Sequence, residues 1–385
     1  MAMRAHLTRT NAGPAAASLG GKLGQITWGL VFLLTVTACI GFLMLYSAAN
    51  GSFEPWAWRQ MARFSAGIIL MLVLAVIDVR WWLRAAYAIY FFALVLLVLV
   101  EVMGIIGMGA QRWVGVWGVQ LQPSELMKIA LVLALARYFH GLRLEGARRS
   151  VALVVPALLI IAPAVLVLRQ PDLGTGLLLA IIGAVMFLLA GVRLRIFAGA
   201  LALALAAVPV AWQFLHGYQK ERILTFLNPE RDPLGAGYHI LQSKIALGSG
   251  GLLGKGYLAG TQSHLSVLPE NQTDFIFTML AEELGLVGGL ALLTLYALIV
   301  IYGFAISLRS TSQFGRLVGL GMTTTFFVYV FINVAMVTGL VPVVGVPLPL
   351  VSYGGTSLMT LLIGFGLLMG VHVHRDVAIP RRQLD

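Results

Sequence analysis

Four short motifs gather the residues able to do chemistry. Leu268-Pro269-Glu270-Asn271-Gln272-Thr273-Asp274-Phe275-Ile276-Phe277 ends a long polar segment and opens an apolar run. Asp274 falls where a helix begins, flanked by Thr273 and three apolar residues, which makes its carboxylate the best candidate for a general base in the chain. The helix dipole lowers the pKa of such an acid and burial against a bound sugar raises it; the same acid can also serve as a helix cap. In Gln122-Pro123-Ser124-Glu125-Leu126-Met127-Lys128, the lysine follows Glu125 by three residues, about 4.5 Å further along a helix. That spacing allows an ion pair that neutralises both charges, or a lysine placed to meet a phosphate. Arg169-Gln170-Pro171-Asp172-Leu173-Gly174-Thr175 is a tight hairpin in which Asp172 can cap the following helix or orient Lys128 or an arginine. The fourth motif runs from Gly339-Leu340-Val341-Pro342 through Pro347-Leu348-Pro349 to Ser352-Tyr353-Gly354-Gly355-Thr356-Ser357. Its proline turn and glycine-rich helix start read as the wall of a groove.

The elements that must position these residues lie in a membrane. Of 385 residues, 59% are hydrophobic, and only 26 Lys+Arg and 15 Asp+Glu are charged. The apolar residues fall into about ten blocks, each long enough to cross the roughly 30 Å hydrocarbon core as a helix. The expected spans are 26–46, 61–78, 84–103, 124–140, 151–167, 174–191, 196–214, 274–302, 317–340 and 352–371, an all-α polytopic membrane protein with both termini on one side. Sixteen Lys/Arg, from Arg4, Arg9 and Lys22 to Arg375, Arg381 and Arg382, lie in the segments placed inside, against Arg59, Arg63, Arg112 and Arg169 outside. The positive-inside rule therefore makes both termini cytoplasmic. Residues 1–22 read as a disordered tail, with the first span a retained signal anchor, 23–374 as one ten-helix domain, and 375–385 as a second cytoplasmic tail. Residues 215–273 form a large outside loop, expected to be an ordered cap of short helices with turns at Asn228-Pro229 and Asp232-Pro233.

The acidic residues collect on the outer side: only Glu145, Asp376 and Asp385 fall in inside segments, and Asp78 near the inner end of a span. A site of carboxylates, lysines and amides at the outer membrane face follows. A charge near the membrane centre costs on the order of 3 kcal/mol, so such residues have a reason to be there. Glu282 and Glu283 lie about 12 Å beyond Asp274 on a helix and point about 100° apart, so at most one can share its groove. The net charge of +11 has no soluble domain to carry it toward nucleic acid. The lone Cys39 permits no internal disulfide, and no cluster has zinc spacing. Ser249–Gly256 departs from a phosphate loop at both ends, so no organic cofactor is expected.

These residues resemble the SEDS family (shape, elongation, division and sporulation), most closely its RodA branch. The resemblance rests on GAQRW at 109–113, QPSELMK at 122–128, QPDLGT at 170–175, NPERDPLGAGYHILQSKIALGSGGLLGKGYLAGTQ at 228–262, LPENQTDFIF at 268–277, AEELGLVGG at 281–289 and VPVVGVPLPLVSYGGTS at 341–357. It implies a peptidoglycan glycosyltransferase that polymerises lipid II at the outer face of the bacterial cytoplasmic membrane during cell-wall elongation and rod-shape maintenance, beside a class B penicillin-binding protein. It places the family's essential aspartate on Asp274 and its polar cavity on Arg112, Glu125, Lys128, Asp172, Ser243 and Lys244. A divalent cation, Mg2+ or Mn2+, is implied as well, which leaves Asp274 either a base or a metal ligand. The rival readings are a lipid II flippase and a non-enzymatic scaffold. A flippase needs basic residues along the whole path, whereas the basic residues of these motifs, Arg112, Lys128, Arg169 and Lys244, lie toward the outer face.

Overall fold

The computed structural model describes residues 19–107, 110–116, 119–142, 150–170, 172–214, 217–228, 236–261 and 271–380. The expected turns at Pro229 and Asp232-Pro233, the beginning of the Asp274 motif at 268–270, Pro171, and residues 1–18 and 381–385 of the two tails lie outside the described residues. Helices dominate the rest, because a chain this apolar can satisfy its backbone in lipid only within its own segments. In chain order they are α1 (Leu19–Gly24), α2 (Trp28–Ala48), α3 (Ala57–Val76), α4 (Val79–Met103), α5 (Pro123–Gly141), α6 (Val154–Arg169), α7 (Leu173–Leu189), α8 (Leu194–Phe214), α9 (Gly217–Leu227), α10 (Ala236–Ser249), α11 (Ile276–Leu308), α12 (Gln313–Val337) and α13 (Gly355–Val373). Among the described residues, seven stretches are long and apolar enough to cross a membrane: Trp28–Ala48, Ala57–Val76, Val79–Val102, Val151–Arg169, Ile276–Leu308, Gln313–Val337 and Gly355–Val373. Leu173–Leu189 is a shorter apolar helix.

Local chemistry sets several helix starts. Ser312 accepts from Gly315 N at 3.0 Å, Asp78 from Arg80 N at 2.8 Å, and Pro123 takes the first turn of α5, where its missing N–H is not needed. Burial separates centre from rim: 78% of the apolar window of α12 and 72% of that of α13 is buried, against 22% for α6. The centre is packed by α3 on α13, α11 on α12 and α5 on both α4 and α12.

Three features depart from expectation. Residues 105–121, read as part of an outside loop of an all-α protein, form a small antiparallel sheet of β1 (Ile105–Gly107), β2 (Ala110–Val116) and β3 (Val119–Leu121) in sequential order. Its β-branched Ile105, Ile106, Val114, Val116 and Val119 suit a pleated ribbon, and the runs are too short to stand out beside membrane helices. Residues 19–22, assigned to a disordered tail, begin α1, and Lys22 donates to Val76 O at the end of α3. The expected span 274–302 runs instead from 276 to 308 and is broken at Gly285, whose φ of 67° and ψ of −165° leave the helix.

Candidate functional site

One end of the bundle gathers the starts of α5, α7, α11 and α13 with the later turns of α12. Asp274 is half-buried, one residue outside the N-cap position of α11, which is Phe275. Its segment is fixed by its backbone. Asn333 on α12 donates through Nδ2 to Asp274 O at 3.0 Å and to Val346 O at 2.7 Å. Ser352 donates to Thr273 O, and Tyr353 N to Gln272 O at 2.8 Å. Gln60 on α3 holds the other side of that turn, donating to Ser352 O at 2.9 Å. Arg63, one turn further along α3, lies over the Tyr353 ring at 5.2 Å. The proline turn thus frames Asp274: a Cβ on Gly345 would lie 3.6 Å from Asp274 Oδ2.

Beside this frame lies a second, buried network. Lys128 Nζ donates to Glu125 Oε1 at 2.6 Å, Tyr329 OH donates to Glu125 Oε2 at 2.8 Å, and Lys128 also meets the Tyr329 hydroxyl, with its ammonium 4.5 Å from the ring centre. All three are buried; Lys128 is 1% exposed. The ion pair that the sequence spacing allows is therefore made. Beneath it a cavity of about 20 Å³, lined by Glu125, Lys128, Thr325, Tyr329 and Thr360, has room for about one water.

Asp172 sits at the N-cap of α7, accepting from Thr175 N at 3.1 Å and from Thr175 Oγ1 at 2.8 Å. Gln122 donates to its Oδ2 at 3.4 Å, joining the hairpin to the start of α5. Arg112 on β2 reaches the same hairpin, donating through Nε to Gln170 O at 3.4 Å. The hairpin also touches the proline turn, since a Cβ on Gly174 would collide with Val344 O. Motifs far apart in sequence are thereby brought into one continuous assembly.

Ser243 on α10 is buried, with its hydroxyl bonded to Thr278 Oγ1 at 2.7 Å and Val337 O at 2.9 Å. The structure thus gives it the role of tying α10 to α11 one turn past Asp274 and to α12 one turn past Asn333. Lys244 beside it is exposed. The sequence reading missed Tyr329 and Asn333. They are four residues apart on α12, on one face about 6 Å apart along the axis, and link the Lys128 network to the Asp274 frame. The signal was available: a buried amide inside an apolar helix needs partners. Glu282 and Glu283 are both buried and bonded to a loop described below.

Among the described residues no three His, Cys, Asp or Glu side chains cluster to hold a metal ion. Mg2+ is usually held by one or two carboxylates together with substrate phosphates. Asp274 offers one carboxylate of that kind.

The profile of the family described as cell cycle protein, which groups FtsW, RodA and SpoVE, matches residues 27–377. Peptidoglycan glycosyltransferase MrdB of Escherichia coli K12 is 47% identical over 87% of this chain and 92% of its own length. Stage V sporulation protein E of Bacillus subtilis is 38% identical over 89% of this chain and 95% of its own. Among solved structures, the rod shape-determining protein RodA of Thermus thermophilus matches with a TM-score of 0.69 at 31% identity, covering 92% of this chain and 98% of that one. A chain from a study of how a peptidoglycan synthase complex coordinates polymerization and crosslinking matches with a TM-score of 0.79 at 35% identity, covering 91% and 98%. This chain belongs to the FtsW/RodA/SpoVE family.

Proposed function

We propose that this member of the family is a peptidoglycan glycosyltransferase of the bacterial cytoplasmic membrane, polymerising lipid II into glycan strands during cell-wall elongation. The observation that carries the reading is the near end-to-end match to relatives named for that activity. In this reading α5, α7 and α8 join the seven apolar spans to make ten crossings, and the Lys/Arg asymmetry sets both termini inside and the Asp274 end outside.

The donor sugar is held through an α bond to undecaprenyl diphosphate and the product is β-1,4 linked, so transfer inverts the anomeric carbon and needs a single base. Asp274 takes the proton from the acceptor 4-hydroxyl as that oxygen attacks C1 of the donor, while the C1–O bond to the diphosphate breaks. General base catalysis is typically worth about 10² to 10⁴-fold. The backbone bonds from Asn333 and Tyr353 support this role, because they hold the carboxylate's segment still while the sugar is positioned. The leaving diphosphate meets Arg112 and the exposed Lys244, and Lys128 joins them by exchanging Glu125 for phosphate. Asp172 keeps the hairpin that carries this corner in place, and Ser243 does the same for α10. In the alternative role, the Asp274 carboxylate would hold a divalent cation instead of acting as the base, and the cation would supply charge neutralisation to the leaving diphosphate.

The partner in this reading is a class B penicillin-binding protein that crosslinks the strands. The test is polymerisation of labelled lipid II by the purified chain with its cognate partner, with and without Mn2+. Glycan ladders from the wild type and none from a folded, partner-binding Asp274→Ala variant are expected. No polymer from the wild type, together with movement of lipid II across vesicles, would instead identify a flippase.

A further inference from the structure

A broken membrane helix leaves carbonyls unsatisfied on one side of the break and amides on the other, and in lipid these must find partners. At Gly285 they are found in the glycine-rich loop that follows α10. Glu282 O accepts from Lys255 N at 3.0 Å and Glu283 O from Gly256 N at 3.1 Å; across the break, Leu286 N donates to Gly251 O at 2.9 Å and Val287 N to Leu252 O at 3.2 Å. The fit leaves no room for side chains: a Cβ on Gly254 would strike Glu283 O, and one on Gly285 would strike Gly254 N. The loop is thus a splint, bonded to the ends of both half-helices.

Side chains fasten the splint. Lys255 Nζ is 2.7 Å from Glu282 Oε1, a carboxylate with no solvent exposure, and Thr261 Oγ1 lies 2.7 Å from the ammonium and 3.2 Å from the same carboxylate oxygen. Glu283, equally buried, accepts from Ser47 on α2 at 2.6 Å and from Leu258 N at 3.3 Å. Tyr257 donates to Leu43 O at 2.8 Å. Burial and the nearby Glu283 carboxylate push its phenol above the ordinary value, which keeps it a donor.

We infer that the Lys255–Glu282 pair is a positioning latch. It locks the splint onto residues 276–284, so that the half-helix beginning just after Asp274 is held as one piece with α2 and the long second half of α11. A half-helix of nine residues has few turns of its own to resist tilting, and a tilt at Gly285 would be carried to Asp274 at its far end. Displacement of a catalytic group by about 1 Å can cost about 10²-fold in rate. This inference rests on the polymerase reading for its consequence but not for its geometry.

The test compares wild type, Lys255→Ala and Lys255→Ala/Glu282→Gln, each purified with its partner in nanodiscs. Initial rates against lipid II concentration give kcat and KM, and hydrogen exchange reports on Leu286 and Val287. Lys255→Ala is expected to lower kcat by about 10 to 100-fold with KM little changed, and to speed exchange at both amides. Adding Glu282→Gln removes the carboxylate charge but does not restore the pair, so both losses are expected to persist; recovery of kcat and exchange in the double variant would assign the effect to an uncompensated charge and overturn the latch. A KM effect alone would overturn the latch by making Lys255 a substrate contact, as would unchanged kcat and unchanged exchange. If Lys255→Ala does not accumulate, Lys255→Arg takes its place, and wild-type exchange with a lowered kcat then overturns the latch. If the wild type itself makes no glycan, the polymerase reading fails while the exchange measurement still decides whether the latch exists.

Discussion

Asp172 and Asp274 each stand at the start of a helix at the same end of the molecule, and their surroundings use them differently. Asp172 occupies the N-cap itself, with both oxygens bonded to Thr175 and one also to Gln122. Near it, Lys128, Glu125 and Tyr329 are bonded to one another in a buried network. At Asp274 the fixed points are main-chain carbonyls, held by Asn333, Ser352 and Tyr353, and the residue sits one place outside the cap. The first region spends its side chains on one another to hold helices together. The second holds its backbone still around a partly buried aspartate. Two acids that look alike as helix starts are thus separated by what their neighbours hold.

On this contrast, variants at Glu125 and Asp172 lose stability and variants in the second region lose rate. The largest effect is expected from Glu125→Ala, which strands a buried Lys128 charge and costs about 3 to 5 kcal/mol of stability; adding Lys128→Met should recover much of it, read from thermal unfolding in detergent. Next comes Asn333→Leu, which removes both bonds from the Asp274 frame. It is expected to lower kcat by up to about 100-fold, more than its effect on unfolding would explain, and equal losses in both would erase the distinction. Asp172→Ala removes a helix cap and should cost about 1 kcal/mol, with activity following the amount of folded protein. Ser243→Ala should be of similar size, about 0.5 to 1.5 kcal/mol from its lost hydrogen bonds. A Ser243→Ala variant that folds normally but binds lipid II several-fold more weakly would move this residue from the framework to the substrate pocket.

The helices themselves were legible from apolar run length, and most described ends fall within a few residues of the expected ones. The four motifs were legible too, because carboxylates, lysine and prolines stand out against so apolar a background. Their joining was not. Tyr329 and Asn333 lie in an apolar run that reads simply as a span, and only the fold shows that four residues on α12 separate the Lys128 network from the Asp274 frame. The break at Gly285 was hidden for a similar reason: AEELGLVGG reads as continuous helix until the loop at 250–256 is seen supplying its missing partners. The sheet at 105–121 was missed because three short strands leave too few alternating residues to register. The spacing of Glu125 and Lys128 allowed an ion pair, which the structure makes, but spacing alone could not say whether the lysine would also meet a phosphate.

The most direct test of the contrast sets Asp274→Asn beside Asp172→Asn at saturating lipid II, each with its partner and normalised to folded protein. Asparagine keeps the shape and much of the capping ability of both residues while removing the charge and the base. Loss of glycan synthesis in Asp274→Asn by about 10² to 10⁴-fold, with Asp172→Asn within a few-fold of wild type, is the predicted result. Equal losses in the two variants, or a larger loss at Asp172, would contradict it.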